Sequence, residues 1–134
     1  MNQIHTPDPQ GAQEYFRRKT SYSTGPVELS HALEAGEDLA VIDVREAEDY
    51  EKEHIPGSIN LPRSRWSSRE GLREGVPNVL VCYSAVCHLA ATAGAEFAKA
   101  GLPVLEMDGG FEAWQENDLP TEKGRPNRTA ALRQ

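Results

Sequence analysis

Asn78-Val79-Leu80-Val81-Cys82-Tyr83-Ser84-Ala85-Val86-Cys87-His88-Leu89 passes from an apolar run into a short loop and then into a helical pattern. Leu89, Ala93, Phe97 and Ala100 recur at helical spacing until Gly101 stops the helix. A strand that ends in a loop and feeds a helix is the unit of a parallel α/β sheet, and such sheets bind ligands at the carboxyl ends of their strands. Cys82 holds that strand-end position. There the next helix turns its unpaired N–H groups toward an anion, and the loop amides of Tyr83, Ser84, Ala85, Val86, Cys87 and His88 can form a nest around the sulfur. A thiol so placed has a pKa of about 3.5–7.5, against roughly 8.5 for a free cysteine, and is a nucleophile at neutral pH. Locally, the same position also suits a cysteine that merely closes a buried strand.

Outward from this unit, strands and helices alternate. Leu39-Ala40-Val41-Ile42-Asp43-Val44 is an almost continuous apolar run, as expected of a strand covered on both faces. Glu46 to Glu53 predicts two helical turns, stopped by His54-Ile55-Pro56-Gly57, and Ser58 to Leu61 a short strand before Pro62. Arg63 to Pro77 reads as polar and irregular, anchored by Trp66 and Leu72, and placed to flank the site. Pro103 to Met107 makes the last strand, after which Gly109-Gly110 turns into a helix over Phe111 to Glu116. Upstream, Gln10 to Lys19 predicts an N-terminal helix acting as a brace, and a helix from Pro26 ends at Gly36. The pattern predicts a three-layer α/β domain with a mainly parallel sheet. The expected divisions are an N-terminal helical extension over 1–20, the α/β domain over 21–120 and a flexible basic tail over 121–134.

A chain of 134 residues can bury one apolar core without disulfides or a metal. The first residues lack the apolar stretch of a secretory signal and no window reaches the length of a membrane span, so the expectation is a soluble, cytoplasmic protein. Two cysteines make no disulfide framework and read as reactive or buried thiols. The net charge of −7 hides an asymmetry: Lys123, Arg125, Arg128 and Arg133 face one acid, Glu122, in the tail, which leaves the body at −10. An acidic body with a short basic tail free of aromatics argues against nucleic-acid binding.

Three motifs in order carry a family resemblance. Asp43-Val44-Arg45, Asp49-Tyr50 and His54-Ile55-Pro56-Gly57-Ser58-Ile59-Asn60-Leu61-Pro62 resemble the front motif of rhodanese-like domains. The Cys82 loop is similar to their active-site loop, and Met107-Asp108-Gly109-Gly110-Phe111-Glu112-Ala113-Trp114 to their closing motif. The resemblance spans about Ser21 to Pro120. It implies a five-stranded sheet with helices on both faces and a catalytic cysteine after the fourth strand, here Cys82. It also implies sulfurtransferase chemistry: sulfane sulfur passes from a small donor (thiosulfate, polysulfide or a protein persulfide) through a cysteine persulfide to a thiol or other thiophilic acceptor, with no metal or organic cofactor. Asp43, Arg45, His54, Gly109, Gly110 and Trp114 are expected to support structure, with Arg45 pairing with Asp49 or a neighbouring carboxylate and His54 tying backbone together.

The chain departs from the family pattern at the loop. Many family loops carry an arginine or lysine beside the cysteine, whereas none occurs here between Cys82 and Lys99, which makes His88 the candidate cation of the loop and thiosulfate a poor donor. The loop is also slightly longer than the compact sulfurtransferase form. In length it resembles that of arsenate reductases and cell-cycle phosphatases, in which an arginine follows the cysteine and five residues; position 88 is histidine, so phosphoryl chemistry lacks its bidentate fork. Three roles stand open for Cys87: packing, resolving a modified Cys82, or serving as the nucleophile. Zinc binding by Cys82, Cys87 and His88 would need a fourth ligand at unusual spacing. The alternative in another class is a non-catalytic rhodanese-like binding or redox-sensing module using Cys82 and Cys87.

Overall fold

The computed structural model describes residues 3–125. Five strands form one parallel sheet: β1 (Ser23–Thr24), β2 (Ala40–Asp43), β3 (Ile59–Asn60), β4 (Asn78–Val81) and β5 (Val104–Met107), in the order β1-β5-β4-β2-β3. Five helices accompany them: α1 (Pro9–Ser21), α2 (Pro26–Glu34), α3 (Ala47–Lys52), α4 (Leu89–Lys99) and α5 (Gly110–Glu116). Among the described residues no helix is long and apolar enough to cross a membrane.

Every residue of β2 and β4 is buried, because helices cover both sheet faces. The strand alternation sorts their side chains into two cores. Ala40, Ile42 and Leu80 pack with Ala90, Ala93 and Phe97 of α4, whereas Val41, Val79 and Val81 pack with Leu29 of α2 and Phe111 and Trp114 of α5. The expected three-layer architecture follows directly from these two cores.

The segment predicted as irregular over 63–77 begins with a 3-10 helix, Arg63–Ser68, which buries Trp66 against Phe97 with ring centroids 5.7 Å apart. With one apolar anchor in a polar stretch, no periodicity signalled it. Helix α1 has no buried residue; Asp8 caps it, its carboxylate accepting from Gly11 N at 2.9 Å.

The front motif ties β2 to the rest of the domain. The buried Asp43 carboxylate accepts from the Arg45 guanidinium at 2.9–3.2 Å and from Arg45 N at 3.0 Å. Arg45 pairs with this neighbour rather than with Asp49; its Nη2 also donates to Glu53 O at 2.8 Å, and its guanidinium lies 4.2 Å from the centre of the Phe111 ring. Burial pushes the Asp43 carboxyl up, and the Arg45 contacts pull against that. Replacing Asp43 with alanine leaves a buried guanidinium without its counter-ion, and chemical denaturation should register a loss of about 3 kcal/mol.

Residues 121–124 do not begin a solvated tail as expected. His54 and Glu122 exchange both backbone hydrogen bonds at 2.9 Å, and Gly124 N donates to Glu51 O at 3.0 Å. The buried His54 ring stacks on Tyr50, donates from Nδ1 to Tyr50 O at 2.6 Å and faces Glu122 Oε1 with Nε2 at 3.2 Å. Trp114 Nε1 donates to Pro120 O at 2.8 Å. The packed unit therefore runs past position 120; the rest of the tail predicted over 121–134, residues 126–134, lies outside the described residues.

Candidate active site

Cys82 directly follows β4 and is 3 % exposed. Its carbonyl accepts from Phe111 N at 2.8 Å, and that of Tyr83 from Glu112 N at 3.0 Å, so the first turn of α5 holds the start of the loop. Gly110 makes this approach possible, and Gly109, against Ala113, makes the turn into α5. Both have positive φ, 80° and 63°, and a Cβ on Gly110 would lie 2.5 Å from Ser84 N and 2.8 Å from Cys82 O. Gly110 thus sets the position of the loop.

Tyr83 fixes the other side. Its hydroxyl donates to Asp49 Oδ2 at 2.6 Å and accepts from Glu46 N at 3.0 Å, which joins the loop to the start of α3. Burial and the Asp49 acceptor push the phenol up to about 12, so it stays a neutral donor across the physiological range. The front motif and the cysteine loop meet at this contact, for which the sequence carries no local signal, since Tyr83 and Asp49 lie 34 residues apart.

Cys82 and Cys87 are joined in a disulfide with their Cα atoms 6.5 Å apart. Cys87 N donates to Ser84 O at 3.1 Å, so this amide closes a turn of the loop itself. His88 is exposed at the N-cap of α4, where its carbonyl accepts from Thr92 N and Thr92 Oγ1, both at 2.9 Å. The shared helix starts at Leu89, as expected.

A cavity of about 380 Å³ opens beside the two cysteines. Cys82, Ser84, Ala85, Cys87 and Ala90 form one wall, and Glu106 to Gly109 the other. Lys19 of α1 completes the lining, whereas Tyr83, Val86 and His88 stand outside it. The cation that the loop lacks is therefore supplied at the cavity by the N-terminal helix, whose Lys19 shares the lining with Glu106 and Asp108. No local signal in the sequence relates Lys19 to Cys82, since the sheet order alone brings α1 and β1 beside β5 and hence toward β4. The supporting residues Asp43, Arg45, His54 and Trp114 are not part of the cavity lining.

Known proteins share the sequence pattern and the fold of this chain. The rhodanese-like domain model matches residues 25–117. The HTH-type transcriptional regulator Rv0324 of Mycobacterium tuberculosis is 35 % identical over 100 residues, covering 74 % of this chain and 44 % of that protein. The thiosulfate sulfurtransferase GlpE of Pseudomonas syringae is 32 % identical over 100 residues, covering 72 % of this chain and 90 % of that one. Among solved structures, the BH2092 protein of Bacillus halodurans superposes with a TM-score of 0.80 at 31 % identity, over 87 % of both chains. The chain thus spans less than half of Rv0324 but nearly all of GlpE. With its parallel sheet, its strand-end cysteine loop and its glycine-pair turn, the chain belongs to the rhodanese-like domain family.

Proposed function

We propose that the chain is a sulfurtransferase or sulfur carrier in which Cys82 holds sulfane sulfur as a persulfide. The observation that carries this reading is the position of Cys82 after β4, in the wall of a cavity and on a loop fixed by α5 and α3. In the reduced protein the Cys82 thiolate attacks the terminal sulfur of the donor. A bond forms between Sγ and that sulfur, the donor's S–S bond breaks, and its remainder leaves as an anion. Loop amides and the start of α4 stabilise the negative charge on Cys82 before the attack and on the persulfide after it. An acceptor thiolate or cyanide then takes the outer sulfur and restores the Cys82 thiolate.

The charges at the cavity favour one class of donor. Lys19 shares the cavity lining with two acidic residues, Glu106 and Asp108, so a compact dianion such as thiosulfate meets net repulsion, and a polysulfide or protein persulfide, with charge more spread out, suffers less. Lys19→Ala should raise KM for thiosulfate about fivefold, the effect of one partly solvated cation, and change polysulfide loading less. Steady-state kinetics with both donors check this.

Incubation of the reduced protein with polysulfide, followed by intact mass, tests the main reading. One added sulfur directly after mixing, removed by cyanide and absent in Cys82→Ser, is the expected result. Phosphatase or arsenate reductase chemistry lacks support, since position 88 carries a histidine that stands outside the cavity.

A further inference from the structure

The disulfide occupies the sulfur that the proposed function needs free. A permanent Cys82–Cys87 bond and a working Cys82 carrier are incompatible, whereas a bond made and broken in each turnover accommodates both. We propose, building on the Cys82 persulfide reading, that Cys87 is the resolving thiol, and that the protein reduces sulfane sulfur to sulfide at the expense of a dithiol.

Three observations support this step. The Cα atoms lie 6.5 Å apart, within the usual span of roughly 4.4–6.8 Å for a disulfide, so the loop brings the two sulfurs together without help from another element. In that arrangement Cys87 Sγ is directed at Cys82 Sγ, the inner sulfur of a persulfide. The two cysteines also differ in exposure: Cys82 is 3 % exposed, whereas Cys87 is half-buried in the cavity wall next to Val86, which is 86 % exposed.

The Cys87 thiolate attacks Sγ of the Cys82 persulfide. The Sγ–Sγ bond forms, the bond from Cys82 Sγ to the sulfane sulfur breaks, and that sulfur leaves with the electron pair and a proton as hydrosulfide. The sulfane sulfur is reduced, and the two cysteines are oxidised to the disulfide. A dithiol reductant, small or carried by a protein, then attacks the more accessible Cys87 sulfur and expels Cys82 as a thiolate, the form the helix start and loop amides stabilise. Its second thiol closes the reductant's own disulfide and frees Cys87. In sum, one sulfane sulfur and one dithiol give one hydrogen sulfide and one oxidised dithiol.

The test is anaerobic loading of reduced wild type and Cys87→Ser with stoichiometric inorganic polysulfide, followed by intact mass and sulfide measurement after desalting. Wild type should lose the added sulfur, release sulfide and end at the disulfide mass. Cys87→Ser should keep the sulfur on Cys82 roughly tenfold longer or more, since it lacks the neighbouring thiol. Cys87 packs, half-buried, against the edge of the core beneath α4, and thermal melting of the two reduced proteins checks that the near-isosteric serine variant is folded. A wild-type persulfide as long-lived as that of Cys87→Ser, with Cys87 open to alkylation, overturns the inference and leaves the carrier reading standing. Failure of either protein to take up sulfur overturns both.

Discussion

Reduced Cys82→Ser is expected to take up no sulfur from polysulfide and to form thiocyanate from cyanide about 10³-fold more slowly than wild type, or slower still. The size of the effect follows from the chemistry of the atom replaced. A serine hydroxyl in the same place has no accessible anionic form at neutral pH, and oxygen bonded to sulfur does not store sulfane sulfur as a stable carrier. The tie to α5 survives the substitution, because Cys82 meets α5 through its backbone carbonyl, which serine keeps. Melting of the variant near the reduced wild type and a lost persulfide together identify chemistry rather than folding as the cause. Retained uptake in Cys82→Ser, with loss in Cys87→Ser, would move the nucleophile to Cys87.

Gly110→Ala should lower stability by about 2–4 kcal/mol and abolish sulfur uptake in whatever fraction folds. Two effects combine. A φ of 63° is costly for alanine, and the new methyl would sit 2.5 Å from Ser84 N and 2.6 Å from the Tyr83 carbonyl carbon. Both contacts are backbone, and one end of that backbone is already held by Phe111 N and Glu112 N, so the loop has little room to retreat. Gly75→Ala separates the two effects, because Gly75 also has positive φ, at 74°, but has no atom near a built Cβ. It should cost only about 1 kcal/mol and leave sulfur uptake intact. Denaturation midpoints of the two variants, read beside their persulfide yield, distinguish a displaced loop from general strain.

Much of the architecture was legible because strands buried on both faces leave long apolar runs. The run at 39–44 and the one at 79–82 located β2 and β4 to within a residue or two, and Gly36 and Gly101 marked the helix ends. Local signals failed where a contact joins residues distant in sequence. The 3-10 helix over Arg63–Ser68 depends on Trp66 reaching Phe97, and the clamp of residues 121–124 depends on His54 offering its backbone as a partner. Neither changes the periodicity of its own segment.

The sequence by itself determined the parallel α/β class, the family and the strand-end position of Cys82, since all three rest on short-range patterns of apolar residues, glycines and motif spacing. The tertiary structure alone decided what surrounds that sulfur. Sheet order carried Lys19 to the cavity, α3 supplied Asp49 to Tyr83, and loop curvature brought Cys87 to Cys82. A local pattern records which face of a strand or helix is buried, but the charge at a site depends on which distant elements the packing sets beside it, and its redox partner on how the loop curves between Cys82 and Cys87.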